Sequence, residues 1–122
     1  MLKLKTKWFK KWSKKNAVKD DQLHKALDSI SKNAGIVDLG GGLYKVRIPG
    51  EQKGKSGGFR SIVVYRDFDL AIFVFGFSKN EKENLSKDEL KYFKKLAKDL
   101  LKFDKQKYIK LIQSGEFYYL EE

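Results

Sequence analysis

The chain of 122 residues has no cysteine, one histidine, one proline and one methionine. Without cysteine there is no disulfide framework, no thiolate metal site and no thiol nucleophile, and such a composition suits a cytoplasmic protein. With His24 alone, no histidine pair can divide the work of acid and base. It falls on the polar side of a helical segment and reads as a surface residue. The longest apolar run, Leu70 to Phe77, is far too short to span a bilayer. Lysines at the N-terminus, Met-Leu-Lys-Leu-Lys-Thr-Lys-Trp, have no apolar stretch behind them, so this is not a secretory signal. No repeat and no linker rich in Pro, Gly or Ser interrupts the chain, which predicts one domain over residues 1–122 and no membrane partner. What is left for chemistry is lysine, arginine and carboxylate.

Basic residues are abundant and uneven. Lys and Arg number 27 against 16 Asp and Glu, a formal net charge of +11. Residues 1–79 hold 17 basic and 7 acidic side chains, whereas residues 80–122 hold 10 and 9. An excess concentrated in the N-terminal two-thirds predicts a polyanionic partner, nucleic acid first. Lysine is the default cation, 24 against 3 arginines, and the three arginines are Arg47, Arg60 and Arg66. Arginine offers a planar fork that grips phosphate oxygens bidentately, where lysine gives a point charge.

Leu2 and Leu4 alternate with Lys3, Lys5 and Lys7, the period of a half-buried strand, expected at a sheet edge guarded by lysines. Trp8, Phe9 and Trp12 follow at helical spacing. Asp20 or Asp21 is the expected cap of a second helix with apolar positions Leu23, Leu27, Ile30 and Ala34, ended by Gly35. After the turn Gly40-Gly-Gly42, Leu43 to Ile48 alternates as a strand up to Pro49-Gly50. The glycine-rich basic loop Lys53-Gly-Lys55-Ser-Gly-Gly-Phe-Arg60 then runs into a strand. Phe59 to Arg66 and Leu70 to Phe77 predict a hairpin across Asp67-Phe-Asp69, its second strand apolar throughout, as a strand covered on both faces would be. Ser86 and Glu89 form a capping box before Leu90, Phe93, Ala97, Leu100 and Leu101. Asp104 opens a last helix, Gly115 closes it, and Phe117 to Leu120 reads as a final strand or a packed tail. The expected fold is α+β: a small antiparallel sheet of about four strands, with N-terminal helices on one face and C-terminal helices following.

A turn at Asp67 to Asp69 predicts Arg60 opposite Gly76 and Phe59 opposite Phe77, with Arg47 beside Arg60. One face then carries Tyr44, Val46, Ile48, Phe59, Val63, Tyr65, Phe73, Phe75 and Phe77 as core. The other carries Lys45, Arg47, Arg60 and Arg66 around Ile62, Val64, Ile72 and Val74, with open space at Gly76. Lys53, Lys55 and Lys79 come to the same end as Arg47 and Arg60, while Arg66 is distant and structural. The groove is the expected phosphate site. A P-loop is excluded: in Gly50-Glu-Gln-Lys-Gly54-Lys55-Ser56 three residues separate the glycines where four are required, and a strand follows where a helix should. Glu81 and Glu83, or Asp67 and Asp69, read as turn and surface carboxylates, and no metal or cofactor is expected.

The succession Leu39-Gly-Gly-Gly-Leu-Tyr-Lys45, Gly54-Lys-Ser-Gly-Gly-Phe-Arg60 and Phe73-Val-Phe-Gly-Phe-Ser-Lys-Asn-Glu81 resembles the RelE/HigB-type toxins of type II toxin-antitoxin systems. The resemblance runs from Lys5-Thr-Lys-Trp-Phe9 to Ser114-Gly-Glu116. It implies a fold like that of microbial ribonucleases and cleavage of messenger RNA in the ribosomal A site. It also implies neutralisation by a cognate antitoxin, often a helix-turn-helix protein encoded by an adjacent gene. Residue by residue, it matches Lys53 and Lys55 to loop lysines of relatives that cleave on the ribosome, and Arg60 to an arginine early in the next strand. Lys79 or Lys82 matches a basic residue beyond the following strand, although Asn80 stands where some relatives have arginine. A tyrosine or histidine found just beyond in several relatives has no counterpart at Asn84, Leu85 and Ser86. Related ParE-type toxins poison DNA gyrase on the same scaffold, and a non-catalytic RNA-binding module would carry similar charge.

Cleavage of RNA by its own 2′-hydroxyl requires that hydroxyl deprotonated, charge on the phosphorane oxygens stabilised and the leaving oxygen protonated. All three are possible without a metal. Lysines crowded by like charge become usable acids or bases near neutrality. The expected catalytic set is Lys53 or Lys55 for proton transfer and Arg60 with Lys79 for the developing charge. Lys45, Arg47, Lys82, Lys3, Lys5 and Lys7 complete the expected RNA-binding surface.

Overall fold

The computed structural model describes residues 1–50 and 58–122. Its elements run β1 (Leu2–Thr6), α1 (Lys7–Lys15), α2 (Asp20–Ser31), β2 (Ile36–Gly40), β3 (Leu43–Ile48), β4 (Phe59–Arg66), β5 (Leu70–Ser78), α3 (Lys87–Leu100), α4 (Lys105–Gln113) and β6 (Phe117–Tyr119). Among the described residues no helix is long and apolar enough to cross a membrane.

Several ends are set locally. The Thr6 hydroxyl accepts from the Phe9 N–H at 3.1 Å and turns β1 directly into α1. Ser86 and Glu89 form the expected reciprocal capping box of α3, and Asp104 caps α4 through the Lys107 N–H. The opening of α2 differs from expectation. Lys19 is the cap residue and its N–H donates to the Gln22 side chain, so Asp20 and Asp21 fall in the first helical turn, where carboxylates suit the positive end of the dipole. This helix stops at Ser31, short of Gly35, because Asn33 already takes a left-handed conformation with φ 53°.

The sheet is larger than expected and mixed. Six strands lie in the order β2-β3-β4-β5-β1-β6, antiparallel except for β1, which runs parallel to β5. Instead of an edge strand, β1 is an interior one, flanked by β5 and β6. Alternation in sequence reports which face is apolar and says nothing about neighbours. Strand β2 has no fully buried residue and is held by pairing with β3, so it left little periodic signal.

Both faces of the sheet are covered. On one, α1 and α2 bring Phe9, Leu23, Ala26, Leu27 and Ile30 onto Val46, Ile48, Val63 and Phe73. On the other, α3 and α4 bring Phe93, Ala97, Leu100 and Tyr108 onto Leu4, Leu43, Ile62, Val64 and Ile72. Ile62, Val64, Ile72 and Val74 therefore belong to a second core and do not floor an open groove. The apolar run of β5 follows from this two-sided burial.

A β-bulge decides which side chains reach which face. From the turn, Arg66 to Val63 pair with Leu70 to Phe73 in the expected register; then Ile62 pairs with Phe75, and Val74 is the extra residue. Every later partner shifts by one, so Arg60 faces Phe77, Ser61 faces Gly76 and Phe59 faces Ser78. Phe75 and Phe77 consequently move to the α3 side, away from Phe73. Nor is Gly76 open, since the Trp12 indole lies over it.

Candidate nucleic-acid interface

Arg47 and Arg60 are direct partners on the antiparallel strands β3 and β4. Facing residues on such strands have Cβ atoms about 4.5–5.5 Å apart, and like charges there repel. Burial, and next the neighbouring Arg47 charge, lower the pKa of the Arg60 guanidinium from its ordinary value. One row along, Lys45 pairs with Ile62 on the same face, and its ammonium donates to Asn84 Oδ1 at 2.6 Å. One end of the α3 side therefore carries Lys45, Arg47 and Arg60 together. A concentration of cations at one place on a sheet fits a polyanion.

Lys79 and Lys82 follow β5. The Lys79 N–H donates to the Gly58 carbonyl at 3.0 Å, which ties the start of the post-strand turn to the residue entering β4. Its side chain is exposed. Lys82 is engaged: its ammonium sits 2.6 Å from a Glu89 oxygen and 5.8 Å from the Phe75 ring centroid. That hydrogen bond is the largest cause holding the Glu89 carboxyl below the ordinary carboxylate range, with the Ser86 N–H next. Glu89 thus serves both as cap and as counter-ion. Lys53 and Lys55 lie outside the described residues.

The N-terminal lysines are not brought to this cluster. Lys3 and Lys5 lie beside Ala71 and Phe73 and point to the α1/α2 face. Lys5 forms a 2.7 Å ion pair with Asp20, and the Lys3 ammonium meets His24 Nδ1 at 3.2 Å. His24 Nε2 in turn bonds the Glu121 carbonyl at 2.7 Å, so these groups fasten the C-terminal tail across β1. Lys7 opens α1 and is exposed at the rim of a separate cleft beside Trp8 and Phe75. Arg66 has the expected structural position, donating to Asp69 at 2.8 Å and to the Leu101 carbonyl at 2.8 Å.

Sequence reasoning missed Asn84 and Glu89 as neighbours of the cluster. The Ser86/Glu89 capping box fixed where the Glu89 side chain begins, but only the returning turn after β5 brings Lys82 to it. Phe75 was assigned to the core beside Phe73; it is half-buried, with Trp8 stacked on it at 4.8 Å between centroids.

A family model described as the RelE toxin of the RelE/RelB toxin-antitoxin system matches residues 1–120. No curated protein and no solved structure matches the chain.

Proposed function

Because the chain belongs to the RelE toxin family of toxin-antitoxin systems, we propose that it is a ribosome-dependent endoribonuclease that cuts messenger RNA and is held inactive by a cognate antitoxin. The observation that carries this reading is the facing pair Arg47 and Arg60, with Lys45 one row along, on the α3 side of the sheet. A cationic site of this kind suits phosphate held in an RNA backbone.

In this reading the attacked phosphate sits against Arg60, whose fork stabilises charge that grows on the nonbridging oxygens as the 2′-oxygen adds to phosphorus. Lys79 supports it from the post-strand turn. Lys53 or Lys55 takes the 2′-hydroxyl proton or gives one to the departing 5′-oxygen; the P–O5′ bond breaks and a 2′,3′-cyclic phosphate remains. Lys45 and Arg47 hold flanking phosphates, and Lys82, neutralised by Glu89, positions the turn more than it attracts RNA. Ribosomal alignment of the substrate supplies the in-line geometry. The antitoxin, expected from an adjacent gene, presents acidic groups to the same cations, so its affinity falls as salt rises.

The test is Arg60→Ala in a programmed-ribosome assay. Loss of one charge-stabilising donor should lower the cleavage rate about 10²–10³-fold with a much smaller loss of ribosome binding. Equal losses in both would make Arg60 an anchor. Gyrase-dependent DNA breaks with intact mRNA would replace the nuclease reading altogether.

A further inference from the structure

On the α3 side of the sheet, across β5 from the strands that carry the cationic cluster, lies a cleft of about 430 Å³ between α1 and α3, lined by Trp8, Phe75, Tyr92, Phe93, Leu96 and Glu116 among others. Its two rims are aromatic and open to solvent: Trp8 is 46% exposed and Tyr92 63%. Large rings left in water on both rims of one cleft mark a candidate binding surface. We propose that this cleft is a nucleobase subsite, in which Trp8 and Tyr92 take up an unpaired RNA base adjoining the phosphate held at Arg60.

The placement follows from the bulge. Because Val74 is the extra residue, Val74 and Phe75 both face the α3 side, and Phe75 stands in the row Lys45, Ile62, Phe75 across β3, β4 and β5. The adjacent row is Arg47, Arg60, Phe77. Beyond β5 at this level β1 has ended, and α1 begins with its N-terminal Lys7 N–H bonded to the Glu116 carbonyl at 3.0 Å, which sets Trp8 over Phe75 with ring planes 27° apart. Strands lie about 4.8 Å apart, so Trp8 is on the order of 10 Å from the Arg60 column. That is the reach of a base from a neighbouring phosphate. Lys7 sets positive charge at the rim beside the aromatic faces, a combination used by single-strand binding surfaces, while Glu116 lines the same cleft and Lys82, over the Phe75 ring, is already paired with Glu89.

The shape favours a base over a protein helix. A helix laid in a groove needs a row of anchor pockets over several turns. This cleft has the volume of a small-ligand site, about 300–1,000 Å³ in general. The inference rests on the RNA reading above and deepens it.

Short single-stranded RNAs with 2′-O-methyl riboses, which cannot be cleaved, separate the two. Titrations followed by the anisotropy of a dye on the RNA end would compare an intact oligonucleotide with versions abasic at each position in turn. At one position the abasic RNA should bind about 5- to 150-fold more weakly, the range of one stacked base. Trp8→Ala should erase that difference, Trp8→Phe should keep most of it, and Tyr92→Ala, at an exposed site, repeats the test should Trp8→Ala disturb folding. Arg60→Ala should weaken intact and abasic RNA alike. Equal binding of intact and abasic RNA by the unaltered protein overturns the subsite, while loss on Arg60→Ala would still uphold the phosphate groove. Equal binding with no effect of Arg60→Ala sinks both. Quenching of Trp8 by the antitoxin and not by RNA would also overturn the proposal and give the cleft to the protein partner.

Discussion

Gly76→Ala should destabilise the protein, although alanine normally suits a strand better than glycine. A Cβ at Gly76 would stand 2.5, 2.6 and 2.7 Å from three ring carbons of Trp12, closer than such atoms approach. The backbone there is not left-handed, so the substitution carries no conformational penalty and isolates the steric one. Retreat of the indole is blocked by Phe9 at 5.2 Å and Phe59 at 5.3 Å between centroids, with Trp8 at 6.3 Å. Overpacking of this kind costs about 1–3 kcal/mol. Against it stands a gain of about 0.4–1 kcal/mol from a stiffer unfolded chain. Mid-range values leave a net loss of about 1.3 kcal/mol, a fall in Tm of roughly 4–8 °C for a domain of this size. Urea and thermal unfolding would measure it, and the same substitution in a Trp12→Leu background should cost nothing or stabilise. A Gly76→Ala protein as stable as the parent, or an equal loss in both backgrounds, would refute the argument that this glycine exists to seat α1.

Glu89 has a lowered pKa, so its contribution is present above the unfolded carboxylate value and is lost as pH falls through the lower folded one. Glu89→Gln should therefore flatten the acid limb of the stability curve, below the ordinary carboxylate range; an unchanged limb would rule this out. Burial raises the Tyr108 hydroxyl to about 12, so its share of stability is whole below the ordinary tyrosine value and lost as pH climbs toward the folded one. Tyr108→Phe removes the bond to the Leu100 carbonyl, which keeps the Phe103 N–H, and should cost about 0.5–1.5 kcal/mol at neutral pH in urea unfolding, with a flatter alkaline limb. Lys5→Ala should lower stability by about 1–3 kcal/mol, because the pair with Asp20 is only 11% and 12% exposed, while leaving RNA affinity nearly unchanged in a filter-binding assay. Arg47→Ala should do the opposite, and a large RNA-binding loss from Lys5→Ala would return the N-terminal lysines to the interface.

Much of the fold was legible because its signals are local. The Ser86/Glu89 box, the Asp104 cap, the hairpin around Asp67 to Asp69 and the helical spacing of Leu23, Leu27 and Ile30 each depend on residues a few positions apart, and each recurs in the structure. The facing of Arg47 and Arg60 was also within reach, since both strand segments were bounded by turn residues. Sequence alone thus determined the α+β class, the elements other than β2, and the family resemblance, which the match over residues 1–120 sustains.

Tertiary structure decided the rest, through contacts between residues far apart in the chain. The parallel pairing of β1 with β5 placed Lys3 and Lys5 on the α2 face, where His24 and Asp20 engage them, because two strands with the same alternation can be neighbours in either direction. The bulge at Val74 has no periodic signature in an all-apolar run, yet it moved Phe75 and Phe77 to the other face and set Gly76 under Trp12. Period-two reasoning fails at a single inserted residue, since every side chain beyond it changes sides. That one residue separates an open pocket beside Arg60 from an aromatic cleft under Trp8, and only packing between α1, β5 and α3 could fix which of them the chain would form.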